Sequence, residues 1–209
     1  LSKNEDTTSD AMAAFSKAAT LLVPIEIVCP PIAAKALHQL NPLVDELRKA
    51  GAQGTEHSLR YAFGLHINTE IPDCTAATVD RYLKAFALLQ SWLVKTNGVN
   101  LSRSITPYVD LYSDDYLVDV LQRENPKLDN LFDDYLKHNP TRNRALDLLP
   151  LLAEIDEDRV RQTIDDNRIK ARPTFHYRLP DCRIDDKEWS LAEPWNLWCV
   201  VEQLADDET

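Results

Sequence analysis

The fold is decided by stretches in which polar and apolar side chains alternate, and the clearest is Thr174-Phe-His-Tyr-Arg-Leu179. Successive side chains of an extended strand point to opposite faces of a sheet. One face is apolar and carries Phe175, Tyr177 and Leu179. The other face carries Thr174, His176 and Arg178. The stretch therefore predicts a strand, ended by Pro180, with chemically useful side chains on one face.

Two earlier stretches show the same alternation. Val23-Pro-Ile-Glu-Ile-Val-Cys29 places Glu26 opposite an apolar face, and Tyr61-Ala-Phe-Gly-Leu-His-Ile-Asn68 does the same with His66 and Asn68. Carboxylates, imidazoles, amides and guanidinium groups bind metals, transfer protons and hold anions. If the three strands pair, these groups line one face of the sheet. The alternative is the ordinary solvated face of an antiparallel sheet.

Apolar residues at helical spacing predict the remaining elements. The predicted helices are 11–21, 33–49 with a break at Pro42, 75–95, 113–121, 128–136, 143–153, 157–164 and a C-terminal helix around 195–204. Thr75 or Thr78 can cap the longest of them. No linker or internal repeat interrupts the chain. We therefore predict one α+β domain over residues 1–209, with a loosely ordered lead-in at 1–21 and a core at 22–209.

Composition excludes several classes of function. The 209 residues include 34 acidic and 23 basic side chains, and this acid excess argues against nucleic acid as the main partner. The four glycines form neither a dinucleotide-binding turn nor a phosphate-binding loop. No apolar run approaches the roughly 20 residues that a membrane span needs. Four widely spaced cysteines and the lack of a signal-peptide pattern predict reduced thiols and a cytoplasmic location.

A local basic cluster runs against the overall acidity. Residues 168–183 contain five basic side chains against Asp181, namely Arg168, Lys170, Arg172, Arg178 and Arg183. The segment Thr141-Arg142-Asn143-Arg144 adds two more arginines. Such a density of positive charge favours an acidic ligand, and arginine suits two-pronged contacts with phosphate or carboxylate. The alternative is a network of internal salt bridges with the abundant aspartates.

Several of these stretches resemble the amidoligase family. They are Val23–Pro31, Tyr61–Asn68, His138-Asn-Pro-Thr-Arg-Asn-Arg-Ala-Leu-Asp-Leu-Leu-Pro150, Ile169–Pro180 and Trp189–Asn196, and they cover most of the chain from about residue 22 onward. The resemblance implies an ATP-dependent carboxylate–amine ligase of the glutamine-synthetase and glutamate–cysteine-ligase group. It also implies a curved antiparallel sheet with helices packed on one face.

The resemblance further implies roles for individual residues. Glu26 and His66 would ligate Mg²⁺. ATP would be bound by His66, Asn68, Asn143, Lys170 and Arg183. The catalytic residues would be Arg142, Arg144, Arg172, His176 and Arg178. Members of this family begin with additional strands that carry further ligands, so we expect this chain, which starts at Leu1, to be N-terminally incomplete.

The implied reaction joins a small-molecule or peptide carboxylate to an amine or ammonia through an acyl-phosphate intermediate. A glutamine amidotransferase as the ammonia source and a homo-oligomeric state are both left open, and neither nucleic acid nor a membrane is expected as a partner. One alternative is a catalytically incomplete binding or regulatory module that keeps the ligase fold and an anion pocket. A weaker alternative is a hydrolase that uses a metal-activated water.

Overall fold

A computed structural model describes residues 26–54, 64–98 and 109–207 of the chain. The chain divides into two units, which are described separately. The first unit combines Leu1–Phe63 with Cys182–Ser190, and the second combines Gly64–Asp181 with Leu191–Thr209. The predicted lead-in at 1–21 and its helix lie outside the described residues. The prediction of a single domain over residues 1–209 stays a prediction.

In the first unit, the predicted break at Pro42 is confirmed. A 3₁₀ helix, Ala34–Leu40, leads directly into helix α1, Asn41–Lys49, with the proline in the first turn of α1. Proline fits there because the first turn of a helix leaves its N–H groups without helical partners. Just after α1, Gly51 adopts a φ of 83°, a left-handed conformation that favours glycine and stops the helix.

The guanidinium of Arg48 links α1 to the later segment of the first unit. It donates hydrogen bonds to the backbone carbonyls of Ile184 at 2.7 Å, Asp186 at 2.9 Å and Trp189 at 2.6 Å. Gly54 approaches the same segment so closely that a Cβ there would overlap the carbonyl oxygen of Cys182. The Arg48 side chain therefore links the two chain segments, and the missing side chain of Gly54 lets them approach closely.

The predicted strand at 23–29 is wrong for the part that the structure describes. Residues 26–29 have no regular secondary structure, and Ile27 and Val28 are 46% and 79% exposed. A strand is stable when a neighbouring strand pairs with its backbone groups, and none does so here among the described residues. Pro30 and Pro31, which follow at once, also lack backbone donors. Val23–Ile25 lie outside the described residues.

The second unit contains a three-stranded antiparallel sheet. Its strands are β1, Ile67–Glu70, β2, Leu146–Asp147, and β3, Thr174–Tyr177, with β3 in the centre. Asn68 on β1 and Asp147 on β2 both lie opposite His176 on β3. Residues directly opposite each other share a face. The predicted division into two faces is therefore confirmed where the two stretches pair, at Ile67–Asn68 and Thr174–Tyr177, and Tyr61–Phe63 lie outside the described residues.

Most helices of the second unit agree with the predicted segments. They are α2, Ala76–Thr96, α3, Asp114–Gln122, α4, Leu128–His138, α5, Leu149–Ile155, α6, Glu157–Thr163, and α7, Ala192–Asp206. Thr75 caps α2 by accepting a hydrogen bond from the backbone N–H of Thr78. The helix predicted at 143–153 is wrong in its first half, because β2 pairs with β3 before α5 begins. None of the described helices is long and apolar enough to cross a membrane.

The apolar face of the sheet packs against α2 and α7. Phe175 stacks on Tyr82 of α2, with ring centroids 4.8 Å apart, and Tyr177 contacts Trp198 of α7 at 5.3 Å. Phe175, Tyr177 and Trp198 are all completely buried. Burying such aromatic surface is the main source of stability in a core of this kind. Helices α2 and α7 thus cover the apolar face of the sheet.

We predict that Trp198→Ala lowers the free energy of unfolding by about 3–5 kcal/mol, because it leaves a large cavity between the sheet and α2. The matched control is Trp92→Ala on α2, whose side chain is 40% exposed. That change is expected to cost less than about 1 kcal/mol. Urea-induced unfolding followed by circular dichroism measures both values. Equal losses in the two variants would contradict the described core.

Candidate functional site

The polar face of the sheet holds a chain of three hydrogen-bonding side chains. Nδ1 of His176 lies 3.2 Å from Oδ2 of Asp147, across the β2–β3 pair. On the other side, Nε2 of His176 lies 3.3 Å from Nδ1 of His66, just before β1. The two imidazole rings meet edge to face, with centroids 5.1 Å apart. A carboxylate and two imidazoles are therefore connected in series through His176.

Burial increases along this chain from His66 to Asp147. His66 is exposed, His176 is 5% exposed and Asp147 is fully buried. A buried carboxylate is tolerated when its oxygens accept hydrogen bonds. Oδ2 of Asp147 faces the imidazole, and Oδ1 accepts from the backbone N–H of Leu149 at 2.9 Å, in the first turn of α5. The inner end of the chain is thus fixed by both a helix and a strand.

Both imidazoles have lowered pKa values. Burial lowers the pKa of His176, and the positive charges of Arg178 and Arg172 lower it further, although Asp147 opposes the shift. Desolvation also lowers the pKa of His66, together with Arg178, His176 and Arg142. The exposed edge of His66 moderates that shift, because solvent screens charge. Both rings are consequently neutral at pH 7.

Positive charge converges on the same face. The guanidinium of Arg172 donates to Oδ1 of Asn68 at 2.9 Å and to Oγ1 of Thr174 at 3.2 Å. The charges of Arg142 and Arg178 act on His66, and those of Arg172 and Arg178 act on His176. Guanidinium groups bind carboxylate and phosphate oxygens with directional, charge-assisted hydrogen bonds. The arrangement can hold an anionic substrate beside two neutral imidazoles.

The structure thus brings together six of the residues proposed from sequence: His66, Asn68, Arg142, Arg172, His176 and Arg178. Arg144 is differently engaged, because its guanidinium donates to the carbonyls of Leu111 at 2.7 Å and His138 at 3.0 Å. Asn143 lies beside it in the turn before β2, and Lys170 is exposed in the segment before β3.

The other two proposed residues belong to the first unit. Glu26 is exposed in an irregular segment, and Arg183 lies 3.6 Å from Asp186 in a partly exposed ion pair. Exposed ion pairs of this kind contribute little to stability. The roles of Glu26 and Arg183 in metal and ATP binding stay predictions.

Internal salt bridges account for part of the basic cluster, as the alternative interpretation proposed. Arg168 lies 2.7 Å from Asp166, and Arg142 approaches the same carboxylate at 4.0 Å. These pairs hold the pKa of Asp166 well below its usual value, mainly through the hydrogen bond from Arg168. The basic cluster therefore contains two kinds of arginine. Some pair with aspartate, as Arg168 does, and others lie on the sheet, as Arg172 does.

Sequence reasoning missed Asp147. Its signal was a single acidic residue within an otherwise apolar run, Ala145-Leu-Asp-Leu-Leu-Pro-Leu-Leu-Ala153. The run was assigned to a helix, in which one acidic residue would be unremarkable. In a buried segment, however, a lone carboxylate must find hydrogen-bond donors, and this requirement marks it as a candidate partner of the site.

The described residues do not fit a Mg²⁺ site. Among them, no group of three or more His, Cys, Asp or Glu side chains could hold a metal ion. His176 directs both ring nitrogens to protein groups, and Mg²⁺ prefers oxygen ligands in octahedral geometry. The metal role of Glu26 and His66 stays a prediction. The guanidinium groups on the sheet fit the phosphates of a nucleotide better.

Comparison with known proteins identifies the family of this chain. Residues 3–200 match the model of the family described as "Putative amidoligase enzyme". The chain belongs to the amidoligase family. Its family is one of ligases that form amide bonds, and the resemblance noted in the sequence is confirmed. Neither the comparison with curated proteins nor that with solved structures finds a match, so the glutamine-synthetase-like form of the sheet stays a prediction.

We predict that His176 titrates below its ordinary pKa of 6.5 and that acidification destabilises the protein through it. The unfolded chain binds a proton on this residue at a higher pH than the folded chain does. The contribution of His176 to stability is therefore complete above pH 6.5 and is lost as the pH falls below that value.

Unfolding in urea at pH 7.5 and at pH 5.5 measures this effect. His176→Gln should reduce the loss of stability between the two pH values, whereas His38→Gln, at an exposed position of the 3₁₀ helix, should not. An equal loss of stability between the two pH values in the wild type and in His176→Gln would show that another group causes the pH dependence.

Proposed function

We propose that the chain is an ATP-dependent ligase that joins a carboxylate to an amine or to ammonia through an acyl phosphate. One observation carries the proposal: in a member of the amidoligase family, arginines and a pair of neutral histidines occupy the same polar sheet face. Carboxylate activation needs stabilisation of negative charge, and amide formation needs removal of a proton from the amine. The face offers groups of both kinds.

In the first step, a carboxylate oxygen attacks the γ-phosphate of ATP, and ADP leaves. We assign stabilisation of the developing negative charge to Arg142, Arg172 and Arg178, whose positive charges act on the two histidines. Fixed positive groups stabilise such a transition state because they need no rearrangement when charge develops. Asn68 holds the guanidinium of Arg172 in place through a 2.9 Å hydrogen bond.

In the second step, the amine attacks the acyl phosphate. The C–N bond forms, the bond between the carbonyl carbon and the phosphate oxygen breaks, and phosphate leaves with the electron pair. The attacking nitrogen must also lose a proton. A neutral imidazole is a suitable acceptor near pH 7, and the lowered pKa values keep both histidines in that form.

The test uses the full gene product with ATP, Mg²⁺ and a panel of carboxylic acids, each with ammonia or a primary amine. Release of ADP and phosphate that depends on both acid and amine is the expected result. Nucleotide binding without turnover favours the non-catalytic binding module, and amide hydrolysis without ATP favours the hydrolase. Failure to bind any nucleotide would refute the proposal. Cytoplasmic location, an amidotransferase partner and homo-oligomerisation stay predictions.

We predict that Arg172→Met lowers kcat/KM for ATP by about 10- to 100-fold, because it removes a charged hydrogen-bond donor from the polar face. Arg168→Met is the matched control. Arg168 comes from the same basic segment, but its exposed guanidinium pairs with Asp166. It should change kcat/KM by less than about twofold. Steady-state kinetics of ADP release distinguishes the two, and similar losses in both variants would argue against a specific role for the sheet arginines.

A further inference from the structure

The hydrogen bonds of Asp147, His176 and His66 have a defined direction. As a carboxylate, Asp147 only accepts hydrogen bonds. Nδ1 of His176 faces its Oδ2 at 3.2 Å and must therefore carry a proton. A neutral imidazole has one proton, which leaves Nε2 of His176 as an acceptor. The group facing that acceptor at 3.3 Å is Nδ1 of His66, which must then be the donor.

We propose that Asp147 is a positioning residue that fixes the tautomers of both histidines and leaves Nε2 of His66 as the open acceptor of the chain. Within the described part of the chain, the hydrogen bond of the His66 ring runs through Nδ1 and not through Nε2. Gly64, which precedes β1, contributes no side chain, and a Cβ there would lie 4.0 Å from Nε2. His66 is exposed, so a ligand atom is able to approach its ring.

This inference rests on the proposed ligase function for its chemical role. As the amine attacks the acyl phosphate, the proton that leaves nitrogen passes to Nε2 of His66. The resulting positive charge is stabilised because Nδ1–H of His66 is hydrogen-bonded to His176, whose own Nδ1–H is hydrogen-bonded to the Asp147 carboxylate. Asp147 touches no substrate in this scheme and acts through His176. The same logic holds for a buried carboxylate that orients a catalytic imidazole.

Burial, which is the largest cause, and the surrounding arginine charges lower the pKa of both imidazoles and keep them neutral before the reaction. Arg142 and Arg178 act on His66, and Arg172 and Arg178 act on His176, and all three arginines lower the pKa of the ring that they face. Asp147 is the acidic group that opposes them at the inner end. An imidazole that is neutral before the reaction is able to accept a proton during it.

The first test needs no substrate. Two-dimensional ¹H–¹⁵N spectra that correlate ring protons with ring nitrogens distinguish a protonated from an unprotonated imidazole nitrogen. At pH 7.5, the wild-type protein should show protonated Nδ1 and unprotonated Nε2 on both His66 and His176. A proton on Nε2 of His66 would overturn the proposal, whether or not the protein is a ligase.

The second test uses Asp147→Asn to reverse the direction of the hydrogen bonds that connect residue 147, His176 and His66. The amide oxygen keeps the hydrogen bond from the backbone N–H of Leu149, and the amide nitrogen turns a donor toward His176. Both histidines should then change tautomer and carry their proton on Nε2. Asp166→Asn, which changes a carboxylate paired with Arg168, is the control and should leave both tautomers unchanged.

Once a substrate pair is known, Asp147→Asn should lower kcat for amide formation by about 100-fold or more, because His66 then offers a proton where it should accept one. KM for ATP should change by less than about twofold. Unchanged tautomers in folded Asp147→Asn would refute the positioning role. If that variant does not fold, the wild-type spectra alone decide the direction of the hydrogen bonds between Asp147, His176 and His66. If the expected tautomers are found but the protein has no ligase activity, the proposed function is refuted. The positioning role of Asp147 in the hydrogen bonds with His176 and His66 then still holds.

Discussion

Antiparallel pairing of β3 with both of its neighbours is the interaction on which the rest of the second unit depends. Pairing aligns Asn68, His176 and Asp147 across three strands. The same register turns Phe175 and Tyr177 to the other face, where α2 and α7 bury them completely. A shift of one residue would exchange the two faces and place a histidine in the aromatic core. The core therefore fixes the register, and the register in turn assembles the polar face.

Two buried polar groups make this arrangement demanding. Asp147 and His176 are both buried, and burying either side chain without a hydrogen-bond partner would cost folding free energy. Together they satisfy each other, and the backbone N–H of Leu149 satisfies the second carboxylate oxygen. The arginines on the same face add positive charge that a bound anion would neutralise.

Much of this could be predicted from the sequence, because an alternating strand carries its own division into two faces. His66, Asn68, His176 and Arg178 were placed on the polar face by local pattern alone, and the long stretches resembled the correct family. What could not be predicted depends on distant partners. Leu146–Asp147 form a strand only because β3 lies beside them, Glu26–Cys29 do not form one because no described strand pairs with them, and Arg144 reaches two backbone carbonyls that no local spacing reveals.

The central claim is that the polar face of the sheet binds a nucleotide through its arginines. The most direct measurement follows the side-chain nitrogen signals of arginine and histidine in the full gene product during titration with ATP and Mg²⁺. We expect saturable shifts at Arg172, Arg178 and His176, and none at Arg159, which pairs with Asp129 and Asp133 on α4. Saturable binding that leaves the sheet signals unchanged would contradict it.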